Sequence, residues 1–319
     1  MFSSKLTDLL GTKYPILGGT MMDLSMAPFV TAISEAGALG ILASAIYLDE
    51  DAFRSDIKAV KDGTDKPFAV NINLFPMMRK LDNMRYLDIM VEEGVKIVET
   101  SGFSPPADVV AKIKQTGMTW LHKCVGVRYA QKAEKMGADA VTVVGYENGG
   151  ATGKLNVATL ILLPSTVDAV SIPVIGGGGI VDARTLLAAA ALGASGVIVG
   201  TRLMLSEECP IHPDLKKALV EATELDTDII MRPVGFAHRV WMNDPAKKVV
   251  ELEGENADFS KIYPYVSGES AKKMYETGDL DAGTVSCSQG IGLIHDVKPV
   301  KAILDDMMSE AQRIYDSMG

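Results

Sequence analysis

Cysteine is scarce in this chain of 319 residues, which contains only Cys124, Cys209 and Cys287. The three residues are odd in number, lie far apart in sequence, and form no Cys-x-x-Cys pair. This count and spacing exclude a disulfide framework and the usual structural zinc site, so we expect no bound metal. Unpaired thiols are typical of a reducing compartment, and they predict a cytoplasmic location.

The chain is also poor in positive charge and in long apolar segments. Its 31 Lys and Arg residues face 41 Asp and Glu residues, which leaves a net charge of −10 and an isoelectric point near 5.0. No basic field is present to neutralise phosphates, so nucleic acid is excluded as a partner. No apolar run approaches the ~20 residues of a membrane span, and Asp8 interrupts any signal-peptide core. We therefore expect a small-molecule substrate and neither a nucleic-acid nor a membrane partner.

Aromatic side chains make up only 6% of the residues, whereas hydrophobic side chains as a whole make up 47%. This combination is typical of the Ala-, Val-, Ile- and Gly-rich packing of α/β proteins, and the 17 methionines add flexible core filler. At this length the chain suits one large α/β barrel with an insertion, or two domains.

Apolar segments of strand length alternate with segments of helix length from the N-terminal region onward. The predicted strands lie at residues 15–19, 39–43, 68–72, 95–100, 119–125, 140–144, 172–175 and 197–199. Four of the helix-to-strand turns share a glycine, at Gly37, Gly94, Gly137 and Gly193, which indicates one repeated unit. Eight such units predict an α/β fold of the (β/α)8 barrel type. An open doubly wound sheet is the competing fold, but no Gly-x-Gly-x-x-Gly follows the first strand.

The alternation stops after Arg202, and this change sets the predicted domain boundaries. Residues 207–284 are more polar, with helices expected at 214–224 and 269–276, so we interpret them as a mostly helical lid or substrate subdomain inserted after the eighth strand. Residues 1–206 and 285–319 form the barrel, because 286–294 returns to apolar sequence and 298–317 reads as a closing amphipathic helix.

Two consecutive strands, the seventh and the eighth, end in glycine-rich turns. Gly176 to Gly179 follow the seventh strand, and Gly200 and Thr201 follow the eighth. Bare N–H groups in such turns can approach an anion closely, and the loops after these two strands form the usual phosphate site of a barrel. The prediction is a phosphate bound by Gly178, Gly179, Gly200 and Thr201, with ordinary glycine-rich connections as the alternative.

Polar residues at other strand ends are candidates for the same site, because barrel sites lie at the carboxyl ends of strands. After the first strand, Gly19, Thr20 and Met21 can admit and flank a planar ring, or form a simple tight turn. In the third strand, Asn71 presents a donor and an acceptor that suit the edge of a pyrimidine-like ring, or it caps the next loop.

The fifth strand carries His122, Lys123 and Cys124, and strand alternation lets only one phase point inward. Either Lys123 faces the barrel interior, where it can stabilise negative charge on a bound ring or form a structural ion pair, or His122 and Cys124 do. Beyond the sixth strand, the loop from Gly145 to Lys154 is rich in glycine and includes Gly150. Its polar member Glu147 is a candidate catalytic residue, with a solvated side chain as the alternative.

A resemblance to a known family follows from motifs in a fixed order along the chain. The segments are GGTMM, DKPFAVNINL, KMGADAV, ENGGATGKL, IPVIGGGGI, GASGVIVGTR and SCSQGIGLI. They resemble the FMN-dependent nitronate monooxygenases, formerly called 2-nitropropane dioxygenases, and the closely related type II enoyl-acyl-carrier-protein reductases. The resemblance implies FMN held in a TIM barrel, and it implies a homodimer. It implies FMN contacts from Gly19, Thr20, Met21, Asn71, Lys123, Gly150, Gly177, Gly178, Gly179, Gly200, Thr201, Ser288, Gln289 and Gly290.

The chain departs from these families at one position in the loop after the sixth strand. Both families place a histidine after the two glycines of that loop, where it serves the chemistry, whereas this chain has Ala151, which cannot titrate. His238 is a candidate replacement, with a lid-packing role as its alternative. The resemblance predicts an FMN-dependent nitronate monooxygenase that oxidises alkyl nitronates with O2. The alternatives are an NAD(P)H-dependent flavin reductase of an enoyl thioester or quinone, and a non-catalytic barrel that binds FMN or another phosphorylated ligand.

Overall fold

A computed structural model describes residues 4–75, 81–254 and 257–318 of the chain. Eight of its strands form one parallel sheet. They are β1 (Ile16–Gly18), β2 (Gly40–Ala43), β3 (Phe68–Asn73), β4 (Ile97–Ser101), β5 (Thr119–Cys124), β6 (Ala140–Val144), β8 (Val174–Gly177) and β9 (Gly196–Val199). Three short strands form a second sheet: β7 (Gly150–Ala151), β10 (Thr227–Ile230) and β11 (His238–Trp241).

Helices follow most barrel strands, and four more lie in the described part of the inserted segment. The first nine are α1 (Lys5–Leu10), α2 (Ala27–Glu35), α3 (Glu50–Gly63), α4 (Asn83–Glu92), α5 (Ala107–Thr116), α6 (Val127–Lys135), α7 (Thr159–Val167), α8 (Ala183–Ala191) and α9 (Thr201–Met204). The others are α10 (Pro213–Val220), α11 (Asp244–Leu252), α12 (Phe259–Val266), α13 (Gly268–Thr277) and α14 (Val300–Ser317). Short 3-10 turns cover Ser44–Ile46, Glu224–Asp226 and Gln289–Leu293.

The parallel strands close into a barrel, as the eight repeated units predict. Their order is β1-β9-β8-β6-β5-β4-β3-β2, and β1 then meets β2. Leu17 and Leu39 form a parallel bridge across this seam, where the Gly18 N–H donates to the Leu39 carbonyl at 2.9 Å. Closure removes the open sheet edges that a doubly wound fold would leave.

The repeated glycines occupy the turns for which the sequence predicts them. The residues Gly37, Gly94, Gly137 and Gly193 all have positive φ, between 72° and 96°. A residue with a Cβ adopts this left-handed conformation only with strain, so glycine is favoured just after a helix that must turn sharply into the next strand.

The apolar core lies in two layers, inside the barrel and between the strands and helices. The interior layer includes Ile41, Ala69, Ile97, Leu121 and Ile175, and Leu6 and Leu10 of α1 join it. The outer layer joins the opposite faces of the strands to the surrounding helices. Alternation along each strand therefore fixes which side chains face the interior.

The inserted segment contains a sheet that the sequence did not predict. β10 pairs with β11, and β11 pairs with β7 of the loop after β6, so this sheet joins the lid to the barrel. A small separate core includes Ile230, Val240 and Ile262. The expectation of helices at 214–224 and 269–276 is confirmed by α10 and α13, although α10 ends at Val220.

No helix among the described residues is long and apolar enough to cross a membrane.

Candidate active site

Side chains from three adjacent strands meet inside the barrel near its carboxyl end. Asn71 of β3 pairs in register with Glu99 of β4, and Ser101 of β4 pairs with Lys123 of β5. Because Leu121 faces the interior, its neighbour two residues on, Lys123, does so as well. The structure thus resolves the phase of β5 in favour of Lys123.

Glu99 is the residue that joins this cluster, and the sequence interpretation missed it. It is 0% exposed, and its Oε2 accepts from the Thr20 hydroxyl at 2.8 Å and from the Asn71 amide at 2.5 Å. Lys123 Nζ lies 3.4 Å from the same oxygen. A lone carboxylate within the buried strand IVETS was the available signal, because a charge is seldom placed there without a partner.

Two oxygens in the barrel interior have no hydrogen-bond partner among the described residues. They are Glu99 Oε1 and Thr142 Oγ1, and both are buried. Thr142 pairs with Lys123 on one side and with Ile175 of the interior core on the other, so it shares their face. Buried polar atoms are normally hydrogen-bonded, so these two oxygens favour a polar ligand in the space they face.

His122 and Cys124 point away from the interior, toward the helices. The His122 ring lies 2.9 Å from Thr100 Oγ1 through Nδ1 and 3.3 Å from the Phe103 carbonyl through Nε2, and burial lowers its pKa. Burial also raises the pKa of the Cys124 thiol to about 12. Both are therefore satisfied core residues, and Cys124 is not an activated nucleophile.

The two glycine-rich turns contain backbone N–H groups without a protein partner among the described residues, and Gly200 borders open space. Gly178 and Gly179 have φ of 95° and 72°, and a Cβ placed on Gly200 would meet nothing within 4 Å. In the part of the chain that the structure describes, the backbone N–H groups of Gly178, Gly179, Gly200 and Thr201 donate to no protein acceptor. Four unpaired amides in the turns after two adjacent strands have the chemistry of an anion site.

Close packing explains two further glycines among the candidates. A Cβ on Gly177 would lie 2.4 Å from Ile198 Cγ2, and a Cβ on Gly19 would lie 3.1 Å from the Gly200 backbone. The N–H of Gly19 donates to the Val199 carbonyl at 2.8 Å. These two residues therefore allow the barrel interior and the first and last βα turns to pack closely.

The returning segment seals one side of the glycine turns. The Ser288 N–H donates to Thr201 Oγ1 at 3.0 Å, and the Gln289 N–H donates to the Glu147 carbonyl at 3.1 Å. A Cβ on Gly290 would lie 3.4 Å from the Gly179 Cα. The three residues Ser288, Gln289 and Gly290 thus lie beside the anion site, as the motif order predicts.

The Glu147 carboxylate accepts hydrogen bonds from the first residue of the helix that follows it. Its Oε2 accepts from both the backbone N–H and the hydroxyl of Thr159 at 2.9 Å. Thr159 is the first residue of α7, whose N-cap residue Ala158 has no side-chain acceptor. The carboxylate therefore supplies the missing cap, which favours a structural role over proton transfer.

Met21 follows β1 and is half-buried, and its N–H donates to Ser25 Oγ at 2.9 Å.

His238 lies directly across a strand ladder from Ala151. Residues paired in an antiparallel ladder point their side chains to the same face, and the pairing of β11 with β7 places His238 opposite Ala151. A Cβ on Gly150 would lie 3.7 Å from the imidazole. His238 Nε2 lies 2.8 Å from Ser286 Oγ. The lid therefore brings an imidazole beside the position where the chain has alanine.

The environment of His238 keeps its ring neutral. The residue is only partly exposed, and desolvation by the surrounding protein lowers its pKa to about 4. No charged group contributes to this shift. At neutral pH the ring is therefore uncharged and retains one nitrogen lone pair that can accept a proton.

Comparison with known proteins was made with family models, curated proteins and solved structures. The family model described as nitronate monooxygenase matches residues 3–310. A 5-hydroxy-7a-methyl-1-oxo-octahydro-1H-indene-4-carboxyl-CoA dehydrogenase of Rhodococcus jostii is 31% identical, covering 98% of this chain and 97% of the relative. A probable nitronate monooxygenase of Bacillus subtilis is 28% identical, covering 94% of this chain and 95% of the relative. FabK from Thermotoga maritima is 33% identical with a TM-score of 0.91, covering 100% of this chain and 99% of that structure.

Proposed function

The chain belongs to the nitronate monooxygenase family and is an oxidoreductase, and from this premise we propose that it is FMN-dependent and acts on an acyl thioester. The fold, the order of the motifs and the anion site support FMN. The position and neutral state of His238 support a thioester. NAD(P)H is a candidate electron donor or acceptor for the flavin.

The residues present fit FMN at both ends of the cofactor. The four unpaired amides of the glycine turns suit a phosphate, which binds well to backbone N–H groups. Lys123 provides a cation, and Glu99 Oε1 and Thr142 Oγ1 provide unpaired oxygens, in the barrel interior where a polar ring edge can lie. When bound, FMN would supply a ring that takes up or gives a hydride. The protein's task is then to orient the substrate and to move a proton.

The single observation that carries the thioester proposal is the pairing of His238 with Ala151. Desaturation of an acyl thioester removes a proton from the carbon next to the carbonyl and a hydride from the carbon after it, so a base and a hydride acceptor are both required. His238 is neutral at pH 7 and can take that proton, while Ser286 fixes one of its ring nitrogens. Return of the proton in the reverse direction passes through the same imidazole.

The similar proteins include one that is named for a thioester substrate. The Rhodococcus jostii relative, at 31% identity, is named as a dehydrogenase of a carboxyl-CoA. The Bacillus subtilis relative, a probable nitronate monooxygenase, is 28% identical. These identities alone do not separate the substrates, so the choice depends on His238.

Oxidation of alkyl nitronates is the second candidate, and Ala151 is the observation that favours it. A nitronate is already an anion, so its oxidation needs no base at position 151, and Lys123 offers it a cation. A neutral nitroalkane would be a poor substrate without that base. The two candidates therefore differ in their need for His238.

An anaerobic absorbance titration of the FMN-loaded protein tests the proposal. Separate samples receive saturated acyl-CoA, ethyl nitronate, NADH or NADPH, and the samples that NADH or NADPH bleaches then receive enoyl-CoA. We expect acyl-CoA to bleach the flavin bands, or enoyl-CoA to restore them after bleaching by a nicotinamide. His238→Gln should lower either rate at least ~100-fold, whereas the control His295→Gln, at an exposed histidine, should not. Bleaching by nitronate alone, unaffected by His238→Gln, would overturn the thioester proposal.

A further inference from the structure

Glu99 stands out among the buried groups because it is a charged side chain with no exposure and one unpaired oxygen. It lies in the barrel interior, where an uncompensated charge is strongly unfavourable. Three donors converge on it, from Thr20, Asn71 and Lys123. An ionised carboxylate accepts from all of these groups, so the surrounding residues stabilise the charged form of Glu99.

All three groups contact the same one of the two carboxylate oxygens. Oε2 takes the Thr20 hydroxyl, the Asn71 amide and the Lys123 ammonium, and Oε1 has no partner among the described residues. The Asn71 amide nitrogen is therefore committed to Glu99, and its Oδ1 lies 3.4 Å from Ser101 Oγ. Within this cluster, Oε1 is the strong acceptor left available to a ligand.

The chemistry of an oxidised flavin ring limits what can meet such an acceptor. The ring carries a single N–H group, N3–H, in its pyrimidine edge, and its other polar ring atoms are acceptors. A carboxylate oxygen facing the ring is favourable opposite N3–H and unfavourable opposite a carbonyl. An ammonium such as that of Lys123 suits the neighbouring acceptors.

We propose that Glu99 binds FMN through N3–H and offsets the charge of Lys123, so that it sets how strongly the site favours a reduced, negatively charged flavin. This inference rests on the proposed FMN dependence. The Lys123–Glu99 pair leaves little net charge at this point of the barrel interior. Removal of the carboxylate charge leaves Lys123 uncompensated and stabilises added negative charge on the ring.

Sulfite binding to the FMN-loaded protein tests the electrostatic part. Sulfite adds reversibly to oxidised flavins and places negative charge on the ring, so its affinity reports the local charge. Glu99→Gln keeps the size of the side chain and an oxygen acceptor. We expect it to lower the sulfite dissociation constant at least ~10-fold, which corresponds to about 30 mV for a two-electron couple. Glu99→Asp, which retains the charge, should stay within ~3-fold of wild type.

The contact with N3–H is tested by the affinity ratio of FMN to 3-methyl-FMN, which lacks that donor. We expect wild type to prefer FMN at least ~10-fold, and Glu99→Ala to reduce this preference to about 2-fold or less. The matched control is Glu251→Gln, which removes a carboxylate paired with Lys248 at 2.7 Å on the surface and should change neither quantity.

The outcomes separate this inference from the function on which it rests. Unchanged sulfite affinity in a folded Glu99→Gln protein, together with an unchanged FMN preference in Glu99→Ala, would overturn the role of Glu99 while the flavin function stands. If Glu99→Gln does not fold, Glu99→Asp still tests the inference. A sulfite dissociation constant of Glu99→Asp well outside the wild-type range would contradict it. Absence of FMN binding in wild type would overturn the proposed function, and the role of Glu99 with it.

Discussion

At the scale of single residues, strand alternation explains both what could be predicted and what could not. Lys123, His122 and Cys124 are all candidates in sequence, because each phase of β5 carries a group capable of chemistry. The choice was settled by packing against the other strands, because Leu121 of β5 lies in the interior core with their side chains. Glu99 was missed because its partners Thr20 and Lys123 come from other strands, and only barrel closure brings them within reach.

The depressed pKa of His238 gives a prediction about stability against pH. The ordinary imidazole pKa is 6.5, whereas desolvation in the folded protein lowers it to about 4. Between these values the unfolded chain binds a proton that the folded chain does not, so the free energy of unfolding decreases as pH falls from 6.5 to 4. We expect urea unfolding of His238→Gln to show a shallower decrease over this window than wild type.

His122 provides the control for that measurement, since burial lowers its pKa in the same direction. The part of the pH dependence that survives in His238→Gln is assigned to the remaining groups, His122 among them. Identical pH profiles for wild type and His238→Gln would show that the ring of His238 is not desolvated in the folded protein.

At the scale of secondary-structure elements, the barrel units were predictable and the lid sheet was not. Each barrel unit repeats a strand, a helix and a glycine turn, so the pattern can be recognised from several copies along the sequence. By contrast, β7 consists of Gly150 and Ala151 alone, and two residues carry no periodicity. Its strand character comes from pairing with β11, which lies more than 80 residues further along the chain.

Buried Arg239 joins the lid sheet to the loop after β6, and its replacement tests that connection. It is 1% exposed, its Nε donates to the Tyr146 carbonyl at 3.2 Å, and its Nη1 donates to Thr227 Oγ1 at 3.1 Å. The guanidinium also lies 4.7 Å from the centre of the Tyr146 ring. Lysine carries its donors on one nitrogen and lacks the planar fork of the guanidinium, so it does not reproduce bonds made from both Nε and Nη1. We expect Arg239→Lys to lower the free energy of unfolding by about 2 kcal/mol.

Urea unfolding and limited proteolysis measure this effect. The matched control is Arg313→Lys, because Arg313 is 76% exposed and pairs with Glu310 on the surface. We expect cleavage within the lid to become faster in Arg239→Lys and to stay unchanged in the control. Equal stability and equal cleavage in both variants would contradict the anchoring role of Arg239.

At the scale of the whole molecule, closure of the barrel explains why residues so far apart in sequence form one site. Thr20 and Glu99 are separated by 79 residues, and Thr201 and Ser288 by 87, yet each pair is hydrogen-bonded. Eight units in sequence predict the scaffold and the edge at which the site lies. They do not predict which side chains meet there, because that depends on the register of all the strands together. Assembly into a homodimer stays a prediction.

The central claim is that this barrel holds FMN by its phosphate. The measurement that tests this most directly compares the dissociation constants of FMN and riboflavin, which has the same ring and no phosphate. Each flavin is titrated into the apoprotein to equilibrium, and binding is followed by flavin fluorescence. Gly200→Ala places a methyl group in the open space at the anion site, and φ of −105° allows it without backbone strain. Gly254→Ala is the control, because a Cβ there also meets nothing within 4 Å but lies on the surface.

We predict that wild type binds one FMN per chain and binds riboflavin at least ~100-fold more weakly, a difference of about 2.7 kcal/mol. Gly200→Ala should weaken FMN at least ~10-fold, with little effect on riboflavin or on unfolding, and Gly254→Ala should behave as wild type. Equal affinities for FMN and riboflavin, or no binding of either, would contradict the account.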